Sequence, residues 1–275
     1  MISILIVNWN TCDLLRACLA SCREHAPDAE VILVDNASTD GSAGMVQAEF
    51  PEVRLLAETT NHGYAKGNNL AIAVASGDTL LTLNPDTELQ PDTLDVTLRA
   101  LHEQPKVGVV SCRFIGPDGE TQRSVRGFPT LGGIALDLLR LPNRYRQSNF
   151  DYTRSQVCEQ PMGTYLLFRR EALPDPKKPF DESFPIFFNE VDLLRRMRNA
   201  GWLAYYCADT HIRHHGGMST RQVRKAMIWE SHRSLLRYCS KHTRGVARAF
   251  LPLWSVVIWV GAFVRARGFH AGFRP

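Results

Sequence analysis

Apolar residues in this chain fall into short runs separated by stretches with helical spacing. Ile2–Val7, Val31–Val34, Val53–Ala57 and Leu80–Leu83 are such runs, each followed by polar residues. Their length and their Ile, Val and Leu content predict buried strands. Leu14, Leu15, Cys18 and Leu19 recur one helical turn apart, so Asp13–Cys22 is predicted as a helix with Thr11 as its N-cap. Further helices are predicted over Ala43–Glu49 and from Leu70 to Ala75. Four strand–helix alternations predict a mostly parallel sheet with right-handed crossovers. Beyond it the pattern predicts a helix over Pro91–Glu103, strands at Val107–Cys112, Met162–Arg169 and Trp202–Cys207, and a turn at Pro117–Glu120. It also predicts a helix capped by Asn189, a loop over His211–Thr220 and a helix over Arg221–Ser240. Residues 127–155, rich in Gly, Pro, Arg and Asn, are expected to form a mobile lid.

The polar breaks carry the candidate chemistry. The Leu80–Leu83 strand stops at Asn84-Pro85-Asp86, because proline offers no N–H to a central ladder. Asp86 is thereby expected just past the carboxyl end of a strand. The runs beginning at Asn8, Asp35 and Asn61 follow the other three strands and are dense in Asn, Asp, Ser, Thr and Gly. A parallel sheet puts all four at one edge, where open α/β sheets bind ligands. Neither a G-x-G-x-x-G fingerprint nor a Walker lysine loop is present. A diphosphate bridged by a hard cation at Asp86 is the reading that remains.

Charge and cysteines narrow the class. The net charge of +4 divides unevenly: eight basic residues and no acid follow Glu230, leaving the body mildly acidic. A basic tail points to a polyanion. Between its arginines, however, Ala249–Val264 is uncharged and holds Pro252, Trp254 and Trp259. That mixture argues against nucleic acid and for a segment lying in a membrane interface; a core helix packed on the domain is the alternative. Seven scattered cysteines without a C-x-x-C pair fit a reducing compartment. The apolar start is read as the first strand rather than a signal core, which predicts the cytoplasm.

Several blocks together resemble the family 2 glycosyltransferases, and among them the bacterial rhamnosyltransferase-like enzymes. They are Val34-Asp35-Asn36-Ala37-Ser38-Thr39-Asp40-Gly41-Ser42, Asn61-His62-Gly63-Tyr64 with Gly67-Asn68-Asn69, and Leu83-Asn84-Pro85-Asp86. Met162-Gly163-Thr164, Phe187-Phe188-Asn189-Glu190-Val191-Asp192-Leu193 and His214-His215-Gly216-Gly217 follow in the same order, so the likeness spans roughly residues 1–220. It implies a GT-A fold, an α/β arrangement with a Rossmann-like, mostly parallel central sheet flanked by helices. A C-terminal helical, membrane-associating extension over 221–275 would be appended to that domain. It also implies a nucleotide-diphosphate sugar donor, rhamnose being the sugar of the subgroup, and Mg²⁺ or Mn²⁺ as cofactor. The acceptor would be a saccharide or lipid-linked saccharide at the inner membrane face.

By the same resemblance Asp35 contacts the base or ribose, and Asn61 and Lys66 line the nucleotide pocket. Asp86 matches the metal-binding aspartate of a D-x-D-type motif whose first position is Asn84 here. His215 matches a histidine near metal and diphosphate. Arg196 either faces phosphate or caps its helix. Glu190 stands where the family usually has an aspartate that deprotonates the acceptor hydroxyl, with Asp192 as the alternative base. The run Phe184-Pro185-Ile186-Phe187-Phe188 would partly dry a carboxylate at the helix start and raise its pKa. The expected activity is inverting sugar transfer in cell-surface polysaccharide synthesis. Because Asn84 and Glu190 depart from the acidic pattern, a catalytically silent nucleotide-sugar binder is the alternative.

Overall fold

The apolar runs become strands β1 (Ile2–Asn8), β2 (Glu30–Asp35), β3 (Arg54–Ala57) and β4 (Thr79–Leu83). The computed structural model describes residues 1–138, 149–216 and 224–267. Helices α1 (Cys12–His25), α2 (Ser42–Glu49) and α3 (Gly63–Val74) connect the four strands. All pairings within this half are parallel, in the order β3-β2-β1-β4. Alternate residues of each strand enter opposite cores: Leu5, Val7, Ile32 and Val34 on one face, Ile4, Ile6 and Leu33 on the other. Burial on both faces is why these strands read as continuous apolar runs. Each such side chain contributes roughly 1.5–3 kcal/mol.

The second half is mixed. After the short β5 (Thr87–Glu88) and helix α4 (Thr93–Glu103) come β6 (Val107–Ile115), β7 (Val125–Arg126) and helix α5 (Leu131–Leu138). Then follow β8 (Gln156–Cys158), β9 (Gln160–Pro161), β10 (Tyr165–Arg169), helix α6 (Asn189–Asn199) and β11 (Leu203–His214). β10 runs antiparallel between β4 and β6, with Tyr165 opposite Leu83. Residues 163–164 therefore emerge beside the carboxyl end of β4, where the Asn84 N–H donates to the Thr164 carbonyl at 3.0 Å.

Several expectations need correction. Helix α3 starts at Gly63, not Leu70. Asn61 Oδ1 accepts the Gly63 N–H at 2.9 Å, and Gly63 has φ of +78°, so the polar block turns and enters the helix at once. Its glycine and asparagines are retained by packing. A Cβ on Gly67 would lie 2.7 Å from a Val7 methyl, and both amide atoms of Asn69 are bonded to the Phe180 backbone. Thr11 does precede α1, but its hydroxyl donates to Asn8 Oδ1 at 2.6 Å and makes no cap bond. Asn189 is the first helical residue of α6 rather than its cap; Phe188 precedes it in the left-handed region. β11 extends through His214, so the predicted loop begins later. Of the expected lid, α5 is helical and residues 139–148 lie outside the described residues, as do residues 217–223 of the predicted loop and helix.

The tail forms two helices in contact, α7 (Arg224–His242) and α8 (Leu251–Ala266), joined by a short 3₁₀ segment. Trp229 and Trp259 meet with ring centroids 5.7 Å apart, and Ile258 and Ala262 are buried. The remainder of α8 stays open: Leu253, Val256, Val260 and Phe263 are exposed along one stripe. Gly245–Ala266 is long and apolar enough to cross a membrane by length and composition.

Candidate active site

The carboxyl ends of β1, β2 and β4 lie level, since Asn8 pairs with Asp35 and Ile6 with Leu83. Their loops are knitted to one another. Asn8 Nδ2 donates to Asp35 Oδ1 at 2.9 Å, and Asp35 Oδ2 accepts the Ser38 N–H at 3.0 Å. Asn36 links the second loop to the third by donating to the Gly63 carbonyl at 3.1 Å. Asn8 and Asp35 are thus buried and build the crevice wall. Asn61 is exposed on the rim, and the half-buried Lys66 lies on α3 with its Nζ 3.3 Å from His62 Nδ1. Asn10, Ala37 and Phe188 are the non-glycine residues with left-handed φ among the described residues; the first two lie in the loops after β1 and β2, and Phe188 directly precedes α6. Such conformations cost about 1–3 kcal/mol each and persist where packing over-determines them. Phe188 is held by its ring contact with Tyr238, 5.7 Å between centroids.

Asp86 and Glu190 both act through space on the hydroxyl of Tyr64. The Tyr64 hydroxyl donates to the Gly163 carbonyl at 3.1 Å, and a Cβ on Gly163 would be 3.3 Å from Glu190 Cγ. Glu190 therefore rests on residue 163, which the antiparallel β10 delivers to the end of β4. Burial pushes the Tyr64 phenol up, and the charges of Glu190 and Asp86 push it further. One hydroxyl thus feels both carboxylates. Glu190 is half-buried and makes no hydrogen bond or ion pair with another side chain among the described residues. Burial raises its carboxyl pKa, against the opposing pull of backbone N–H groups at the start of α6 and of Arg126.

Asp192 is placed differently. Two residues along a helix are roughly 200° apart around its axis, four only about 40°. Asp192 and Arg196 consequently share the face opposite Glu190. The Asp192 carboxylate is fully buried and paired with Arg196 at 2.8 Å, Lys241 at 2.8 Å and His242 at 2.7 Å. Burial pushes that carboxyl up, but the bonds from His242 and Lys241 and the charge of Arg196 prevail and hold it low. Arg196 also donates to the Pro179 carbonyl. Asp192 thus ties α6 to α7 and Arg196 ties it to the Pro179 segment, on the side of the helix opposite Glu190. Asp192→Asn should therefore lower folding stability by about 3–5 kcal/mol, because it strands cations around a buried amide. Urea unfolding measures this, and an unchanged midpoint would refute the clamp. The contribution should also fade as pH falls through the depressed Asp192 pKa, since protonation removes the charge only there.

The two adjacent histidines are placed differently from one another. The His215 ring meets Glu88 at 2.6 Å, and its N–H donates to the Asp86 carbonyl at 2.9 Å. The imidazole that faces the Asp86 carboxylate is His214, Nε2 to Oδ2 3.7 Å. Gln122 Nε2 donates to the His214 carbonyl at 3.0 Å, which leaves Gln122 Oε1 to accept the His214 Nδ1–H at 2.6 Å. Burial lowers the His214 pKa, more than Asp86 raises it. Its neutral ring thus turns a lone pair on Nε2 toward a carboxylate oxygen, too far for a hydrogen bond. These two groups could together hold a divalent cation. No set of three or more His, Cys, Asp or Glu side chains that could hold a metal occurs among the described residues. Tyr64, Gln122 and His214 are site residues that the sequence reading passed over. Tyr64 lies inside a block it had singled out and His214 is adjacent to one of its candidates, whereas Gln122 carries no sequence signal.

A mostly parallel sheet with polar loops at the carboxyl ends of its strands is the frame of a GT-A fold, and the family match makes the chain a nucleotide-sugar glycosyltransferase. The chain belongs to Glycosyl transferase family 2, whose model matches residues 3–175. It is 30% identical over 237 residues to an N-acetylglucosaminyl-diphospho-decaprenol L-rhamnosyltransferase of Mycobacterium tuberculosis, covering 80% of this chain and 77% of that one. It is 23% identical to the rhamnosyltransferase WbbL of Escherichia coli K12, over 66% of this chain and 71% of that one. In fold it is similar to the mannosyltransferase PcManGT from Pyrobaculum calidifontis, solved with GDP-Man and Mn²⁺. The TM-score is 0.61 at 20% identity, covering 100% of this chain and 76% of that one.

Proposed function

We propose that this glycosyltransferase inverts the anomeric centre of a rhamnosyl nucleotide as it transfers the sugar to a hydroxyl of a polyprenol-diphosphate-linked saccharide. The observation that carries the reading is that Asp86 and Glu190 both act on the hydroxyl of Tyr64. The half-buried, otherwise uncommitted Glu190 accepts the proton of the attacking hydroxyl. Attack from the face opposite the departing diphosphate needs no covalent sugar–enzyme intermediate. Asp86 and His214 would hold the divalent cation, which neutralises charge gathering on the leaving diphosphate. The loops of Asn8, Asp35, Asn61, Lys66 and Asn84 form the nucleotide side of the crevice. The rhamnosyl donor and the lipid-linked acceptor are supported by the relatives' activities. Thermal-shift screening of UDP-, GDP- and dTDP-sugars with Mn²⁺, then transfer of the labelled donor to a diphosphate-linked acceptor, tests the proposal. Stabilisation by donors without hydrolysis or transfer would instead identify a silent nucleotide-sugar binder.

The C-terminal unit over 221–275 is assigned to the inner face of the cell membrane. Its exposed stripe on α8 is flanked by Arg244, Arg248, Arg265 and Arg267, the arrangement of a helix lying among lipid headgroups. Leu253→Glu combined with Val260→Glu should weaken sedimentation with anionic phospholipid vesicles by at least about tenfold, with soluble donor hydrolysis retained. Unchanged sedimentation would remove the membrane role.

A further inference from the structure

Glu190 is the second residue of α6, and the backbone enters that helix through Phe188 at φ of +65° and ψ of 2°. A side chain as large as phenylalanine seldom adopts this left-handed region, because its Cβ then crowds the following carbonyl oxygen. Released, Phe188 would return to an ordinary φ, and the first turn of α6 would swing with it. The contacts that hold the turn come from α7, some fifty residues further along the chain. Phe188 packs on Tyr238 with ring centroids 5.7 Å apart and planes at 45°. Tyr238 is itself buried and backed by the ring of His242, 4.6 Å between centroids. Tyr238, Lys241 and His242 recur at helical spacing and share one face of α7. That face grips the chain on both sides of Glu190: Tyr238 before it at Phe188, Lys241 and His242 after it at Asp192. Lys241 also meets Asp181 at 2.6 Å, and Arg237 donates to the Ser183 carbonyl. None of these contacts engages the loops after β1, β2 and β4. The Tyr238 hydroxyl is buried without a hydrogen-bond partner among the described residues, so it is the ring that carries the contact.

We propose that Tyr238 is a positioning residue for the catalytic base: packed on Phe188, it holds the left-handed turn at the entrance to α6 and thereby keeps Glu190 against Gly163. The inference rests on the reading of Glu190 as the base. It divides the C-terminal unit by role, with α7 part of the catalytic apparatus and α8 carrying the exposed stripe. Positioning matters at this scale because a shift of about 1 Å in a reacting group can cost about 10²-fold in rate.

The test follows transfer from dTDP-rhamnose to N-acetylglucosaminyl-diphosphate on a short polyprenol, at temperatures well below each variant's melting point. Tyr238→Leu keeps an apolar filling but removes the ring. It should lower kcat by about 10–100-fold, while donor KM and donor affinity by calorimetry stay nearly unchanged. Tyr238→Phe should restore turnover. In a Glu190→Gln background the same Tyr238→Leu change should cost almost nothing further in kcat, since no base is left to position. Phe188→Gly accepts the left-handed turn without enforcing it, and should lower kcat as Tyr238→Leu does. If Tyr238→Leu fails to fold, Phe188→Gly decides alone, because the Phe188 ring is only half-buried. Near-normal kcat in either folded variant, an equal loss of donor affinity, or an undiminished effect of Tyr238→Leu in the Glu190→Gln background would each overturn the inference. Failure of the underlying readings has separate signatures: no donor hydrolysis or transfer by the wild-type protein, or near-normal turnover in Glu190→Gln alone.

Discussion

Glu190→Gln should reduce turnover by about 10²–10⁴-fold, equivalent to about 3–5 kcal/mol of transition-state stabilisation, while leaving donor affinity unchanged. The amide keeps the shape that rests on Gly163 but cannot take a proton. Since Glu190 lies apart from the loops at the ends of β1 and β2, nucleotide binding measured by calorimetry should not move. Near-normal turnover in Glu190→Gln would end its role as the base. The pH profile provides a second check. Burial raises the Glu190 pKa, and the base works only when deprotonated, so activity should fall as pH drops through that raised value. The acidic limb should therefore lie above the ordinary glutamate range and should be missing from the residual activity of Glu190→Gln.

Asp86→Asn should weaken donor binding by at least about tenfold when Mn²⁺ is present, and by little when a chelator has removed it. His214→Ala should behave in the same way. His215→Ala should have a smaller effect, because its ring is engaged with Glu88. This contrast between adjacent histidines is the sharper part of the prediction. Equal weakening of Asp86→Asn with and without the metal would remove the cation from the site. A larger loss at His215 than at His214 would return the metal role to the residue that the sequence motif picked out. Gln122→Ala should reproduce part of the His214 effect, since it frees the imidazole to rotate or change tautomer.

Much of the fold was legible in the chain itself. The runs of β1, β2 and β4 are buried on both faces, so a parallel sheet covered by helices was the available solution. Pro85 had to end β4, which put Asp86 at the ligand edge. The acidic start of α6 and its basic end were also readable, because they follow the helix dipole. Other features were hidden by the same local chemistry. Glycine and asparagine signal loops when they stand alone, yet Gly67 and Asn69 are helical here because Val7 and the Phe180 backbone need their small size and amide groups. In the tail, one stripe of α8 packs on α7 and the opposite stripe is left exposed.

By itself the sequence determined which segments are strands, which end of the sheet carries polar loops, and which acidic and histidine pairs were worth weighing. Only the tertiary structure gave the members of those pairs their different partners. Glu190 and Asp192 project in opposing directions from one helix, and the packing of α7 claimed Asp192 with Lys241 and His242. Residues next to each other at the end of a strand likewise point to opposite sides, and the pairing of β11 with β5 turned His214 toward Asp86. The antiparallel insertion of β10, invisible in local periodicity, brought Gly163 to the end of β4 and with it the floor on which Glu190 rests. Local patterns fix the period of an element, but contacts between residues far apart in the chain fix which face looks into the cleft.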